Sequence, residues 1–259
     1  MRYRIFLAGA TGVVGRRLVP LLRAAGHHLT GTTRSAAKAD LLRALGAEPV
    51  VVDVFDASAL ARAVVAANPD VVIHQLTDLP SGLDQSRMSE GIKRNARIRD
   101  EGTRNLVEAA VAAGARRLVA QSIAWAYAPG PEPHCEDDPL DLATEGNRAI
   151  SVHGIAALEK RTLATPSLDG TVLRYGQLYG PGTGTSLPTG SAPLHVDAAA
   201  HAALLAVERD VSGVFNIAGS NQYVATEKAS LKLGWRAEFR LSPALEQIAG
   251  QGFPKTDGD

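Results

Sequence analysis

Residues 5–15 read Ile5-Phe6-Leu7-Ala8-Gly9-Ala10-Thr11-Gly12-Val13-Val14-Gly15, and they decide the fold. The apolar run Ile5 to Ala8 predicts a short strand buried on both faces, the pattern of a parallel sheet. Glycines follow at 9, 12 and 15. Lacking a Cβ, they permit a tight turn and let backbone amides come close to a ligand. From Val13 the apolar residues recur at helical spacing. Strand, glycine turn and helix start together form an anion cradle, because N–H groups at a helix N-terminus attract a diphosphate. That is the outline of a dinucleotide site running through Gly9, Ala10, Thr11, Gly12, Val13, Val14 and Gly15. The rival phosphate loop needs Gly-Lys-Ser/Thr at the helix start, whereas Gly15 precedes Arg16-Arg17.

A chain of 259 residues with 45% hydrophobic content can bury a full core, and α/β chains of this size form one domain. We expect a single domain over 1–259, with a small C-terminal lobe built from about 176–195 and 219–252. Basic and acidic residues balance at 27 each, which argues against nucleic acid or an anionic membrane as partner and favours a small-molecule substrate. The single cysteine, Cys135, excludes an internal disulfide and a thiolate metal cluster, so no metal site is expected and a cytoplasmic location is. Arg2 and Arg4 ahead of an apolar run imitate a signal peptide, but three glycines break that run. No stretch reaches the roughly 18 apolar residues of a membrane span.

Along the chain, Val13 to Leu22 predicts a helix stopped by Gly26, with a kink at Pro20. Leu29 to Thr33 reads as a strand, with Ser35 as N-cap of a helix ending near Gly46. Val50 to Val54, Val71 to Leu76, Leu118 to Ser122, Thr171 to Tyr175 and Gly213 to Ile217 read as further strands. Asp56 is expected to cap a helix through Ala67, closed by Asn68-Pro69. Residues 77–92, with Pro80 and Gly82, read as a loop, followed by one long helix from Ile92 to Ala113. The four prolines between Ala128 and Leu140 predict a rim loop or lid. A helix is expected over Ile155 to Leu163, a loop from Gly176 to Pro193, and a helix capped by Asp197. The tail after Phe253 reads as frayed. Strands alternating with helices predict a Rossmann-type, doubly wound parallel sheet.

Several separated segments agree on one family: Gly9, Gly12 and Gly15; Asp53; Val71-Val72-Ile73-His74; Gly102-Thr103-Arg104-Asn105-Leu106-Val107-Glu108-Ala109-Ala110; Leu173 to Gly182; His195-Val196-Asp197; and Gly213 to Gly219. The chain resembles an extended short-chain dehydrogenase/reductase of the NAD-dependent epimerase/dehydratase type. The resemblance implies that Asp53 and Val54 hold the adenine, that Leu76 and Thr77 line the ribose path, and that Gln121, Tyr175 and Gln177 also serve the cofactor. Cofactor choice has its own residues. An acidic residue ending the second strand would favour NAD, but that end reads Thr33-Arg34-Ser35, a guanidinium fork flanked by hydroxyls and suited to a 2′-phosphate. NADP is therefore expected over NAD, the alternative being that Arg34 is a solvated residue at a helix start.

The chain departs from the family at its chemistry. The family uses Tyr-x-x-x-Lys, whose lysine lowers the phenol pKa for proton transfer. Here the residues four places after the five tyrosines are Leu7, Pro131, Tyr179, Thr183 and Glu227, and alignment on Ala156-Ala157-Leu158-Glu159 puts Ser151 and Ile155 where the pair should be. The chain is therefore similar to the atypical members. The substitutes to weigh are Ser122 at the strand end, Tyr127 from the loop side and His153 on the helix, each with a packing role as its alternative. His134, Cys135, Glu136, Asp137 and Asp138 read as an exposed acidic loop. Only twelve residues separate Gly182 from His195, too few for the family's larger substrate insertion. Two functions are consistent with this: an NADP-dependent oxidoreductase or epimerase-like enzyme acting on a small carbonyl or alcohol, or a non-catalytic NADP-binding redox sensor. A homodimer is also expected, by resemblance.

Overall fold

The computed structural model describes residues 1–80 and 84–250; the expectations for Gly82, for 251–252 of the lobe and for the tail after Phe253 lie outside the described residues. Nine strands and nine α-helices follow among them. β1 (Arg4–Ala8), α1 (Val13–Ala24), β2 (His28–Thr33), α2 (Ala39–Ala44), β3 (Glu48–Val51), α3 (Ala57–Ala67) and β4 (Val71–His74) form the first half. Then come α4 (Met88–Arg97), α5 (Thr103–Ala112), β5 (Arg117–Ile123), α6 (Gly146–Leu163), β6 (Asp169–Tyr175), β7 (Gln177–Tyr179), β8 (Pro193–His195), α7 (Val196–Glu208), β9 (Gly213–Ile217), α8 (Glu227–Leu233) and α9 (Pro243–Ala249).

Seven strands make one sheet in the order β3-β2-β1-β4-β5-β6-β9, every pairing parallel. This is the Rossmann-type α/β architecture. The order reverses between β1 and β4, and such a switch point leaves a crevice beyond the carboxyl ends of the strands. Ile5 to Ala8 are buried throughout. On one face α1 and α7 cover Leu7, Ile73 and Leu173; on the other, α3 and α5 cover Phe6, Val72 and Leu118. Among the described residues no helix is long and apolar enough to cross a membrane.

Local chemistry explains the boundaries. Asp56 caps α3 by accepting from the Ala59 amide at 2.9 Å, and Asn68 closes it in the left-handed region at φ 43°. Asn is among the few non-glycine residues that tolerate this conformation. Pro20 lies inside α1, which runs on unbroken to Ala24. β3 starts earlier than expected because Pro49 is tolerated on an edge strand, leaving Asp53 and Val54 in the loop that follows. Ser35 gives no side-chain cap and precedes a short 3-10 turn, Ala36–Lys38; its own N–H donates to Thr33 Oγ1. The expected long helix is two helices, α4 and α5, joined by a π-turn over Ile98–Gly102.

Three further differences concern the second half. α6 begins at Gly146, and Gly154 within it lets α4 approach, since a Cβ there would sit 3.1 Å from Ala96 Cα. The Gly176–Pro193 loop contains β7, which pairs with β8 in a separate two-stranded sheet. The cap of α7 is His195, whose Nδ1 accepts from the Asp197 amide at 3.2 Å. Asp197 turns inward instead, 3.3 Å from Arg17 of α1. The 128–140 segment is tied down rather than free: His134 is buried and stacks on Tyr127 with centroids 4.9 Å apart.

Candidate dinucleotide site

β1 delivers the chain to Gly9, whose φ of +90° suits glycine. A Cβ there would stand 2.5 Å from the Gln75 carbonyl oxygen, and one on Gly15 would collide with the Gly9 carbonyl oxygen. Glycine is therefore required at both positions by backbone proximity. The Gly9 amide donates to Thr32 Oγ1 at 3.2 Å, and the Gly12 amide donates to Gly9 O at 3.0 Å. Gly12 is the N-cap of α1, and no side chain caps that helix. The positive end of the macrodipole and the first-turn amides are thus left for an anion.

Above this turn lies a cavity of about 190 Å³. Ala8, Gly9, Thr11 and Gly12 form its floor, Thr32, Thr33, Arg34 and Lys38 one end, Val52 to Phe55 a side, and Gln75, Leu76, Thr77 and Ile98 the inner wall. Arg34 is half-exposed and 3.2 Å from Asp78, which also holds Arg94 at 3.3 Å. Asp53 uses one carboxylate oxygen on the Phe55 amide, and Asn105 donates to the Val54 carbonyl at 2.9 Å. These contacts fix the loop after β3 against the cavity. A cradle that a Cβ would fill, an uncapped helix start and two cations at one end fit a dinucleotide.

The structure brings Gly9, Thr11, Gly12, Thr33, Arg34, Asp53, Val54, Leu76 and Thr77 to the cavity wall. Ala10, Val14 and Gly15 are buried within the turn and helix start, while Val13 is half-buried in the first turn of α1. Gln121 reaches Leu76 O at 3.4 Å. Tyr175 is buried, accepting from Gln75 and donating to Ala199 O, and Gln177 holds the Ala192 amide. Sequence reasoning passed over Lys38, Phe55 and Ile98; Lys38 closes the short 3-10 turn that follows Arg34 and Ser35.

The proposed proton donors are placed elsewhere. Ser122, Arg174 and Asn216 stand side by side in the register of β5, β6 and β9. Ser122 Oγ donates to Glu159 at 2.6 Å, and Glu159 pairs with Arg174 at 2.7 Å. Arg174 donates to the Tyr127 hydroxyl at 2.8 Å, which donates to Asn216 Oδ1 at 2.6 Å. Tyr127 is 1% exposed. Burial pushes its phenol up, against the opposing charge of Arg174. Of the two hydroxyls weighed as proton donors with a packing role as the alternative, neither lines this cavity: Ser122 is held by the buried Glu159 carboxylate, and Tyr127 by Arg174 and Asn216. His153 is exposed on α6, apart from either. The expected exposed acidic loop holds at Cys135 and Asp137, which are exposed; His134 is instead buried, and Glu136 accepts from the Asn216 amide.

On α6, Ile155 packs with Val152 and Ala126 in an apolar cluster. His74, at the end of β4, is fully buried. Its Nε2 lies 3.0 Å from Thr103 Oγ1 and its Nδ1 accepts from the Leu76 amide. Desolvation first, then the charge of Arg99, lowers it to about 4.

Residues 9–205 match a family model described as NAD(P)H-binding. A 3-diazoavenalumate denitrifying reductase from a Streptomyces species is 47% identical over 236 residues, which is 83% of this chain and 75% of that protein. Among solved structures, UDP-glucose 4-epimerase from Thermotoga maritima with UDP-glucose superposes with a TM-score of 0.72 at 19% identity, over 96% of this chain and 97% of that one. The Bordetella bronchiseptica enzyme WbmG in complex with NAD and UDP gives 0.67 at 20% identity, over 97% and 93%. At such identities the two structures share the fold.

Proposed function

The chain belongs to the NAD(P)H-binding family, and we propose that it is an NADPH-dependent reductase that removes a diazo group from a small organic substrate, as its 47% identical relative is named for doing. The observation that carries this reading is the apolar cluster around Ile155. Reduction of a carbonyl leaves an alkoxide that must receive a proton, the task of the family's tyrosine and lysine. A reduced nicotinamide supplies hydride, and when hydride replaces a diazonium group the new C–H bond forms as the C–N pair leaves with N2, so no proton is needed on oxygen. Loss of the pair then costs this chemistry nothing.

The chain's own residues have defined tasks. The Gly9–Gly15 turn and the start of α1 bind the diphosphate. Arg34 and Lys38 receive the 2′-phosphate, Arg34 exchanging its Asp78 partner for it. Val54, Leu76 and Ile98 exclude water from the cavity, and the Ile155 cluster keeps the region beside α6 dry.

The test is single-turnover reduction of a 4-carboxybenzenediazonium salt with NADPH deuterated at C4. Deuterium is expected at the ring carbon that lost nitrogen, with one N2 released. Arg34→Gln should weaken NADPH about tenfold or more, as a charge-assisted contact of about 1.5–3 kcal/mol requires, and leave NADH nearly unchanged. Turnover of simple ketones but of no diazo compound, or equal affinity for the two cofactors before mutation, would refute the reading.

A further inference from the structure

The π-turn Ile98–Gly102 joins α4 to α5. This wide winding accommodates an extra residue, re-aims its side chains and recurs at functional sites. The turn stands between two parts of the site: Ile98 lines the cavity's inner wall, and the turn packs against α6. Arg99, its second residue, is 9% exposed. Among the described residues it has no hydrogen bond and no ion pair.

Every other source of compensation is engaged. Asp100 points outward to Arg161 at 2.7 Å, and Glu101 is held by Arg97 at 2.7 Å. His74, whose titration Arg99 influences, has both ring nitrogens occupied and carries no negative charge. The other buried arginines are provided for: Arg17 faces Asp197, Arg174 faces Glu159, and Arg117 donates to the carbonyls of Ala206 and Val207. Burial alone brings the Arg99 guanidinium down to about 10, which leaves it charged at neutral pH. A cation buried without a counter-ion is costly, and the acids flanking it on its own turn are directed elsewhere.

We infer that Arg99 is the anion-recognition residue of the substrate site, receiving a carboxylate of an organic-acid substrate where β4, the π-turn and α6 meet. The cofactor's phosphates have their own places, the diphosphate at the uncapped start of α1 and the 2′-phosphate at Arg34 and Lys38, so a third cation beside α6 serves the other reactant. The guanidinium fork matches a carboxylate through two parallel hydrogen bonds. The inference rests on the proposed reductase reading for the position of the substrate beside α6.

The test uses the whole chain with NADP⁺ present, benzoate as the anionic probe and benzamide as its neutral counterpart, with wild type, Arg99→Met and Arg99→Lys. Calorimetry should find benzoate, not benzamide, bound to wild type. Arg99→Met should weaken benzoate about tenfold or more, with Arg99→Lys between the two. NADPH affinity should change less than about threefold, and Arg99→Met should melt no lower than wild type, because an unpaired buried charge has been removed. A lower melting temperature for both variants would make Arg99 a structural residue and overturn the inference. So would a loss of NADPH affinity with benzoate unaffected, or equal binding of benzamide. If wild type reduces no diazo compound yet holds benzoate through Arg99, the reductase reading fails and the anion site stands; if diazo reduction proceeds and Arg99→Met leaves the affinity for acids unchanged, the anion site alone fails.

Discussion

His74 makes folding stability depend on pH in a direction that can be worked out. Its Nδ1 accepts the Leu76 N–H, so the proton sits on Nε2 and is donated to Thr103 Oγ1. Protonating Nδ1 would set two N–H groups against each other, in a site without solvent and near the Arg99 cation. The folded value is about 4, against 6.5 in the unfolded chain. Between these values the unfolded chain binds the extra proton, so stability is full above 6.5 and falls as pH drops toward 4. From about pH 7.5 to about pH 5 the loss assigned to this one ring is about 2 kcal/mol, by linkage between the two values. The assay is urea denaturation of wild type and His74→Gln at both pH values. Gln carries no titrating proton, and contributions from carboxylates common to both proteins cancel in the difference. The variant is expected to be less stable near neutrality and to lose about 2 kcal/mol less on acidification. Parallel losses in the two proteins would refute the assignment of a depressed, buried imidazole.

Two further predictions concern the turn and the buried ion pair. Gly9→Ala places a Cβ 2.5 Å from the Gln75 carbonyl at a φ of +90°; it should cost more than about 2 kcal/mol of stability and abolish NADPH binding measured by fluorescence titration. Glu159→Gln leaves Arg174 buried without its counter-charge and should lower the unfolding free energy by about 3–5 kcal/mol in urea, whereas Arg174→Met with Glu159→Leu should recover much of it.

The dinucleotide cradle was legible because its signal is local. Glycine spacing, strand run and helix start occupy eleven consecutive residues, and each glycine answers a backbone contact within that stretch or with the end of β4. The place of Arg34 at the cavity was legible for the same reason, since it lies at a strand end whose position the alternation of elements dictates. Lys38 was not, because a short 3-10 turn rather than the expected α-helix carries it back to the cavity. The burial of Arg99 was hidden by winding: the π-turn that shifts the buried face at Ile98–Gly102 is a tertiary outcome that the helical spacing over Ile92 to Ala113 does not announce. The three-residue strand β7 was hidden by the glycines and prolines around it, which read as loop until β8 is there to pair with.

The partners of Ser122 and Tyr127 bear on mechanism. As isolated residues at a strand end and a loop, both read as hydroxyl donors with packing as the alternative, and only the register that sets Ser122 beside Arg174 and Asn216 brings out the packing role. Once Arg174 is buried, it needs a carboxylate and further acceptors, and Glu159, Tyr127 and the Glu136 carbonyl satisfy it. The same network fixes the proline-rich 128–140 segment, since Asn216 also donates to the His134 carbonyl. A hydroxyl already donating at 2.6 Å to a buried carboxylate is poorly placed to give its proton to a substrate, and the Tyr127 phenol, whose pKa burial has raised, is a weaker acid than an ordinary one. The polar groups at the carboxyl end of β5, β6 and β9 are therefore engaged with one another, and in the proposed reading the substrate meets the apolar cluster around Ile155 and the Arg99 cation. A site so arranged suits a reaction that needs an anionic substrate held in place and no proton delivered to it.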